Sequence, residues 1–208
     1  IYRLRRRKDP DELIRLQKAI AATGEMYRKA REIIAPGVSE LEVFNALQTA
    51  AVSELGEMLT GTGNDYRCAA RGGPPRDRKA ESGELYILDL GPAFRGYFAD
   101  NARTFAVDRK PTDLQMVAWQ KIMDAFQFIE EQACAGKSAR ELFQEVQSLL
   151  DTSTCGGFNH HLGHGIGLFP HEAPHLNPNW DDTLELGDVF AAERTEEHRA
   201  ELQSRTKL

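Results

Sequence analysis

Cysteine is scarce in this sequence, and long hydrophobic runs are missing from it. Its 208 residues include three cysteines, an odd number whose spacing matches neither a zinc ribbon nor a redox motif. We therefore expect free thiols in a reducing compartment, the cytoplasm, and no disulfide framework. No apolar run approaches the ~20 residues that a membrane span needs, so a membrane partner is not expected.

An excess of positive charge is also missing. Lys and Arg number 26 against 32 Asp and Glu, which gives a formal net charge of −6. This balance offers no electrostatic basis for binding nucleic acid. One basic run, at residues 3–8, resembles a nucleic-acid-binding arm in composition. Because no further basic patch supports that function, a solvated linker leading into the first helix is the favoured interpretation.

Apolar residues recur at helical spacing in four segments. The predicted helix starts are, in chain order, Asp9–Pro10, the Ser39–Glu42 capping box, Pro111–Thr112–Asp113 and the Ser138–Glu141 capping box. Strands are predicted after each pair of helices, as in GELYILDLG (83–91), which is rich in β-branched and aromatic residues. Helices followed by strands, without strict alternation, favour an α+β fold.

The two halves of the sequence share their order of features. Ser39 and Ser138 lie 99 residues apart, each two residues after a glycine. GELYILD and GDVFAAE are similar, and their last residues, Asp89 and Glu193, lie 104 residues apart. Chance similarity of short segments is the alternative to duplication. Two matched features in the same order favour duplication, which predicts two similar lobes around a central site.

Five side chains on glycine-punctuated segments are candidate metal ligands: Asp89, Asp100, His164, His171 and Glu193. Strand pairing that is symmetric about Phe94–Arg95 would put Asp89 directly opposite Asp100, with Cβ atoms ~5 Å apart. Carboxylates so close repel each other unless a cation or a proton lies between them. This pattern favours a divalent metal that activates water for attack on a carbonyl. An ordinary acidic globular domain is the alternative.

The histidines divide by their surroundings. HEAPH (171–175) matches the H-E-x-x-H zinc motif, but Pro174 would break the helix that the motif requires. His171 is better interpreted as a loop residue that donates to a substrate carbonyl or oxyanion. The glycines around His164 permit close backbone approach, with a flexible surface loop as the alternative. Three further histidines, His160, His175 and His198, are expected to face solvent.

Taken together and in order, the segments LDLG, GYFADNARTF, HHLGHGIGL, HEAP and VFAAE resemble those of the pita-bread metallopeptidases. That family includes methionine aminopeptidase, prolidase, Xaa-Pro aminopeptidase and creatinase, and HxxGHGIG with His161 is most similar to the Xaa-Pro branch. The resemblance implies an α+β pita-bread fold, with two pseudo-symmetric α/β halves and a curved antiparallel sheet covered by helices. Residues 1–8 would link to a preceding N-terminal domain, 9–193 would be catalytic, and 194–208 would form an atypical C-terminal segment.

The resemblance also implies an activity, the metal-dependent hydrolysis of the N-terminal bond of Xaa-Pro peptides by a metal-bound hydroxide. Two divalent ions (Mn, Co or Zn) would act as cofactors. Asp89 would chelate the first metal, and Asp100 would bridge both metals. His164 and Glu193 would bind the second metal, and Glu193 would also accept the proton of the attacking water. His171, together with His161, would steady the substrate carbonyl. The expected partner is a peptide, and the helical faces are compatible with a homodimer.

Two departures from the family pattern support other interpretations. The family carries a final bridging Glu on a strand after Glu193, whereas this chain continues as RTEEHRAELQSRTKL, in which no residue can be assigned that role. Many relatives also carry a substrate-facing His before the first Asp, where this chain has RGGPPRDRKAESGE. A non-catalytic relative that binds peptide or protein is therefore one alternative. A creatinase-type C–N hydrolase is another.

Overall fold

The computed structural model describes residues 4–151 and 161–192. The helices within these ranges are α1 (Pro10–Ile33), α2 (Glu40–Leu55), α3 (Asp113–Gln132) and α4 (Ala139–Asp151). The strands are β1 (Gly61–Thr62), β2 (Asp65–Cys68), β3 (Leu85–Leu90), β4 (Pro92–Phe94), β5 (Tyr97–Phe98), β6 (Asn101–Ala106), β7 (Gly163–Gly165), β8 (Glu172–Leu176) and β9 (Phe190–Ala192). Among the described residues, no helix has the length and apolarity that crossing a bilayer requires.

Local capping explains where the helices begin. The backbone amide of Asp9 donates to the Glu12 carboxylate at 2.8 Å, just before α1. At α2, Ser39 Oγ accepts from the Glu42 amide at 3.0 Å, and the Ser39 amide donates to the Glu42 carboxylate at 2.8 Å. Each box satisfies backbone donors that the first helical turn leaves unpaired. The predicted starts of these helices are confirmed.

Every strand pair in the described residues is antiparallel, and the strands form three small sheets. Their orders are β1-β4-β5, β2-β3-β6 and β8-β7-β9. One hydrophobic core joins α1 and α2 to β2 and β3, and a second joins α3 and α4 to β8. The molecule therefore consists of two halves, each with a helix pair packed on antiparallel strands, as the α+β prediction requires.

The duplication extends to the backbone hydrogen bonds of the two halves. Isolated β-bridges join Ser39 to Lys79 and Ser138 to Thr183. The flanking hydrogen bonds also match. In the first half, Gly37 N donates to Ala80 O at 2.7 Å, and Ala80 N donates to Val38 O at 2.8 Å. In the second half, Gly136 N donates to Leu184 O at 2.8 Å, and Leu184 N donates to Lys137 O at 2.9 Å. Each residue of the first half has its counterpart in the second half either 99 or 104 residues later, the same offsets that separate the similar sequence segments. The prediction of two similar halves is confirmed.

Two predictions about exposure are wrong. The basic run is not a solvated linker in its described part, because Arg6 is buried and donates to Asp188 while Arg5 contacts the buried Glu172. His175 does not simply face solvent: it is half-buried, and its Nδ1 lies 3.0 Å from Asp182 Oδ2. In both cases an acidic residue pairs with the side chain and holds it against the fold. His160 and His198 lie outside the described residues.

The two described cysteines carry free thiols, Cys68 buried and Cys134 exposed, as predicted; Cys155 lies outside the described residues.

Cys68 borders a buried ion pair at the start of α2. Glu40 is fully buried, and its carboxylate accepts from the Arg76 guanidinium at 2.6 and 3.0 Å, the Arg76 amide at 2.7 Å and the Cys68 amide at 3.1 Å. Burial by itself would raise the pKa of Glu40, but the hydrogen bonds from Arg76 and Cys68 prevail and lower this pKa to about 2. The Glu40 carboxylate thus connects α2 to Cys68 at the end of β2 and to Arg76 in the segment that follows.

This ion pair makes stability depend on acid pH. Because the folded pKa of Glu40 lies below its ordinary value of 4.5, the stabilisation is complete above about pH 4.5 and disappears as the pH falls toward 2. The shift corresponds to about 3 kcal/mol. Glu40→Gln should lower the free energy of unfolding at pH 7 by about 2–4 kcal/mol, measured by urea denaturation, and flatten its decline between pH 4.5 and 2. Glu54→Gln, on the exposed face of α2, is the matched control. An equal effect of both variants would contradict this account.

Candidate metal and substrate site

A single hairpin carries Asp89 and Asp100. In its register Asp89 pairs with Ala102 and Leu90 with Asn101, so Asp100 is the diagonal neighbour of Asp89, two residues from its partner. The predicted direct opposition of the two acids is therefore wrong. Asp100 immediately precedes β6, and continuing the alternation of that strand by one residue places it on the same face as Asp89. Both side chains are largely buried, Asp89 at 8% exposed and Asp100 at 11%.

The turn explains the corrected register. Arg95 and Gly96 form its centre, with φ values of 50° and 86°. Two consecutive left-handed residues are typical of the type I′ hairpin turn, in which glycine lowers the conformational cost. The strands are therefore symmetric about Arg95–Gly96 and not about Phe94–Arg95. This moves each partner of β3 two residues along the chain.

His164 lies at the centre of the sheet in the second half. Its strand, β7, is sandwiched between β8 and β9. A Cβ on Gly163 would lie 2.1 Å from Ala191 O, and one on Gly165 would lie 2.1 Å from Ala173 O. The glycines are thus required because both neighbouring backbones approach β7 closely. His164 is 2% exposed, so the flexible surface loop is ruled out as an alternative.

His164 and Asp100 bring the two halves together. His164 Nε2 lies 3.3 Å from Asp100 Oδ2. The other ring nitrogen, Nδ1, lies 3.0 Å from Gly165 O, a contact that fixes the orientation of the ring. An imidazole and a carboxylate placed this close together are both ligand types that divalent metals bind.

Two further histidines lie beside His164. The ring centroid of His171 is 3.7 Å from that of His164, with planes 14° apart, and His161 is 5.3 Å from His164. One ring nitrogen from each of the three lies within 4.8 Å of the others, which makes the trio itself a candidate metal-binding group. His171 is exposed and His161 is half-buried, so both imidazoles are more accessible to solvent than His164.

Tyr27 is a site residue that the sequence did not single out. Its hydroxyl contacts Leu88 O at 3.2 Å and Asn101 O at 2.5 Å, which anchors the Asp89–Asp100 hairpin to α1. Burial raises the pKa of Tyr27 well above its ordinary value, so the phenol stays neutral beside the carboxylates. Its position in the apolar repeat of α1 gave no signal of this role, because core tyrosines share that spacing.

A cavity of about 370 Å³ lies next to Asp100, and its other lining residues include Tyr27, Arg103, Ile166 and Ala191. This volume falls in the range of small-molecule binding sites. The cavity combines apolar walls with an acid, a phenol and two cationic side chains, Arg31 and Arg103.

The predicted site residues thus divide by what the structure describes. His164 contacts Asp100, His161 and His171 lie around it, and Asp89 lies on the same hairpin face as Asp100. HEAPH is confirmed as non-helical, since Glu172–Leu176 is a strand. Glu193 and the whole of the atypical segment 194–208 lie outside the described residues. The metal and catalytic roles of all these side chains remain predictions.

Carboxylates and imidazoles that converge between two similar halves are typical of metal-dependent hydrolases, and the comparisons specify the family. The model of metallopeptidase family M24 matches residues 14–195. This chain therefore belongs to metallopeptidase family M24. The matched region contains every predicted site residue.

Individual relatives agree with this assignment. The chain is 30% identical over 190 residues to the Xaa-Pro dipeptidase of Pyrococcus horikoshii, an alignment covering 89% of this chain and 54% of that protein. The prolidase from Pyrococcus furiosus superimposes with a TM-score of 0.81 at 26% identity, covering 91% of this chain and 57% of that one. The X-Pro aminopeptidase from Thermotoga maritima is similar in fold, with a TM-score of 0.85 at 24% identity. The superposition covers 98% of this chain and 59% of that one. The chain spans about half the length of the curated relatives it matches. The predicted pita-bread fold and the resemblance to the Xaa-Pro branch are confirmed.

Proposed function

We propose that this chain hydrolyses the N-terminal peptide bond of Xaa-Pro peptides, as an aminopeptidase or dipeptidase assisted by divalent metal ions. The observation that carries the proposal is the 3.3 Å approach of His164 Nε2 to Asp100 Oδ2, which joins ligand-type groups from the two halves. The names of the P. horikoshii and P. furiosus relatives support the substrate class.

The donor set fits a divalent metal. Asp89, Asp100 and His164 would hold it, and Glu193 is proposed as a further ligand that also accepts the proton of the attacking water. When bound, the metal would polarise the scissile carbonyl and activate water at neutral pH. We propose two ions, with manganese as the first to test.

His171 and His161 are the proposed substrate contacts. A donor aimed at the carbonyl oxygen stabilises the negative charge that develops there during attack. His171 suits this role because it is exposed and stacks on His164, so it is both accessible and close to the metal-binding groups. The proposed compartment is the cytoplasm, which suits the free thiols of Cys68 and Cys134.

Hydrolysis assays on peptides test this proposal. The purified chain with Mn²⁺ should cleave Ala-Pro and Ala-Pro-Gly and leave Met-Ala intact, as measured by the release of free amino acid. Cleavage of Met-Ala alone would place the activity in another branch of the family. Binding of the Xaa-Pro peptides without hydrolysis would instead support the non-catalytic alternative.

A further inference from the structure

A buried cluster of charges includes Glu172, the residue that follows His171. The Glu172 side chain and the Lys8 side chain are each only 2% exposed. Arg5 donates to Glu172 Oε1 through Nε at 3.1 Å and through a second nitrogen, and Lys8 Nζ lies 3.4 Å from Oε2. Charges removed from water need close partners, and separating such a group costs several kcal/mol. The contacts between these distant parts of the chain are therefore strong constraints on position.

The same cluster fixes the loop that leads to His171. The Phe169 amide donates to Glu172 Oε1 at 3.1 Å, and the Arg5 guanidinium stacks 4.1 Å from the centre of the Phe169 ring. A Cβ on Gly167 would lie 2.8 Å from Glu172 Oε2 and 2.9 Å from Lys8 Cε. The loop therefore packs tightly against both Glu172 and Lys8, and His171 follows it directly.

Residues 5–8, here called the basic strap, also hold the approach to β9. Arg6 donates to the Asp188 carboxylate at 2.9 and 2.5 Å and to Thr183 O at 2.8 Å. Asp188 lies two residues before β9, which pairs with the His164 strand. The strap thus contacts both segments that flank β7, one through Glu172 and the other through Asp188.

We propose that Arg5 and Lys8 are positioning residues, which act through Glu172 to hold His171 against His164. The inference rests on the proposed function, in which His171 contacts the substrate. It adds that residues before the first helix control the catalytic geometry. A displacement of about 1 Å at a reacting group is enough to cost ~100-fold in rate.

Hydrogen exchange tests the mechanical part of this inference without any assay of activity. In the full chain, amide exchange at residues 167–172 should accelerate by about tenfold or more in Lys8→Met and in Arg5→Met, because the loop loses its constraint. Arg7→Met is the matched control, since Arg7 belongs to the same run but its side chain is 65% exposed and pairs with the exposed Glu185. Unchanged exchange in both strap variants would overturn the inference.

Kinetics test the positioning role itself. Lys8→Met should lower kcat for an Xaa-Pro peptide by about 10- to 100-fold, with KM and bound metal unchanged, and Lys8→Arg should restore most of the rate. In a His171→Ala background, Lys8→Met should cause no further loss, since both changes remove the same interaction. Losses that multiply, or metal content that falls with kcat, would contradict positioning. A wild-type chain that cleaves no peptide refutes the proposed function, while the exchange result still decides whether the strap holds the loop.

Discussion

Replacement of Asp100 by Asn should lower kcat/KM for an Xaa-Pro peptide by at least about 10³-fold, or about 4 kcal/mol of transition-state stabilisation. The amide keeps the shape of the side chain but removes its negative charge. Asp100 is the acid that approaches His164, and it is 11% exposed, so solvent cannot replace the lost charge effectively. Steady-state hydrolysis at saturating Mn²⁺ is the measurement.

The matched control for this replacement is Asp11→Asn. Asp11 is 65% exposed and pairs with Arg15 at 2.8 Å on the surface of α1, so its loss should change the rate by less than about twofold. Equal activity of the Asp100 variant and the wild type would remove Asp100 from the site.

Replacement of His171 by Ala should lower kcat by about 10²- to 10³-fold while metal binding is retained. The imidazole is proposed to donate to the substrate carbonyl as negative charge develops, an interaction that strengthens only in the transition state. KM should therefore change little. Because His164 keeps its own contacts to Gly165 O and Asp100, the amount of bound metal should equal that of the wild type.

His175→Ala distinguishes this effect from a general loss of strand order. His175 belongs to β8, pairs with His164 in the sheet register, and stacks 4.1 Å from the Trp180 ring. It has the same chemistry as His171 but a structural partner, Asp182. Its loss should reduce stability and leave kcat of the folded protein near the wild-type value. A kcat loss equal to that of His171→Ala would mean that the site depends on β8 as a whole.

The parts of the fold that could be predicted are those encoded by neighbouring residues. Ser39 with Glu42 specifies a helix start because donor and acceptor lie within one turn. The glycines beside His164 indicated close backbone approach, and the structure supplies the approaching groups, Ala191 O and Ala173 O. The duplication was readable for the same reason, since both halves use the same local signals.

The hairpin register was missed although a signal existed. In the sequence FRGY, glycine at the second central position of a two-residue turn favours symmetry about Arg95–Gly96, where Gly96 takes a φ of 86°. The observed register pairs Asp89 with Ala102, so Asp100 lies diagonally from Asp89 and not directly opposite it.

The basic strap was missed because nothing local encodes it. Arg5 and Glu172 are 167 residues apart in the chain, and a run of basic residues next to a helix has the composition of a solvated surface. Glu172 in HEAP gave no hint of burial. Its role follows only once folding brings the N-terminal segment onto the loop before His171.

The most direct test of the metal site is thermal unfolding of the metal-free protein during a titration with Mn²⁺, run in parallel on Asp100→Asn. A ligand that binds the folded state at 100 times its Kd adds about 2.7 kcal/mol of stability. For a chain of this size that amount raises Tm by roughly 5–10 °C. The account predicts such a rise for the wild type and little or none for the variant. A wild-type Tm that does not respond to Mn²⁺, Co²⁺ or Zn²⁺ would contradict it.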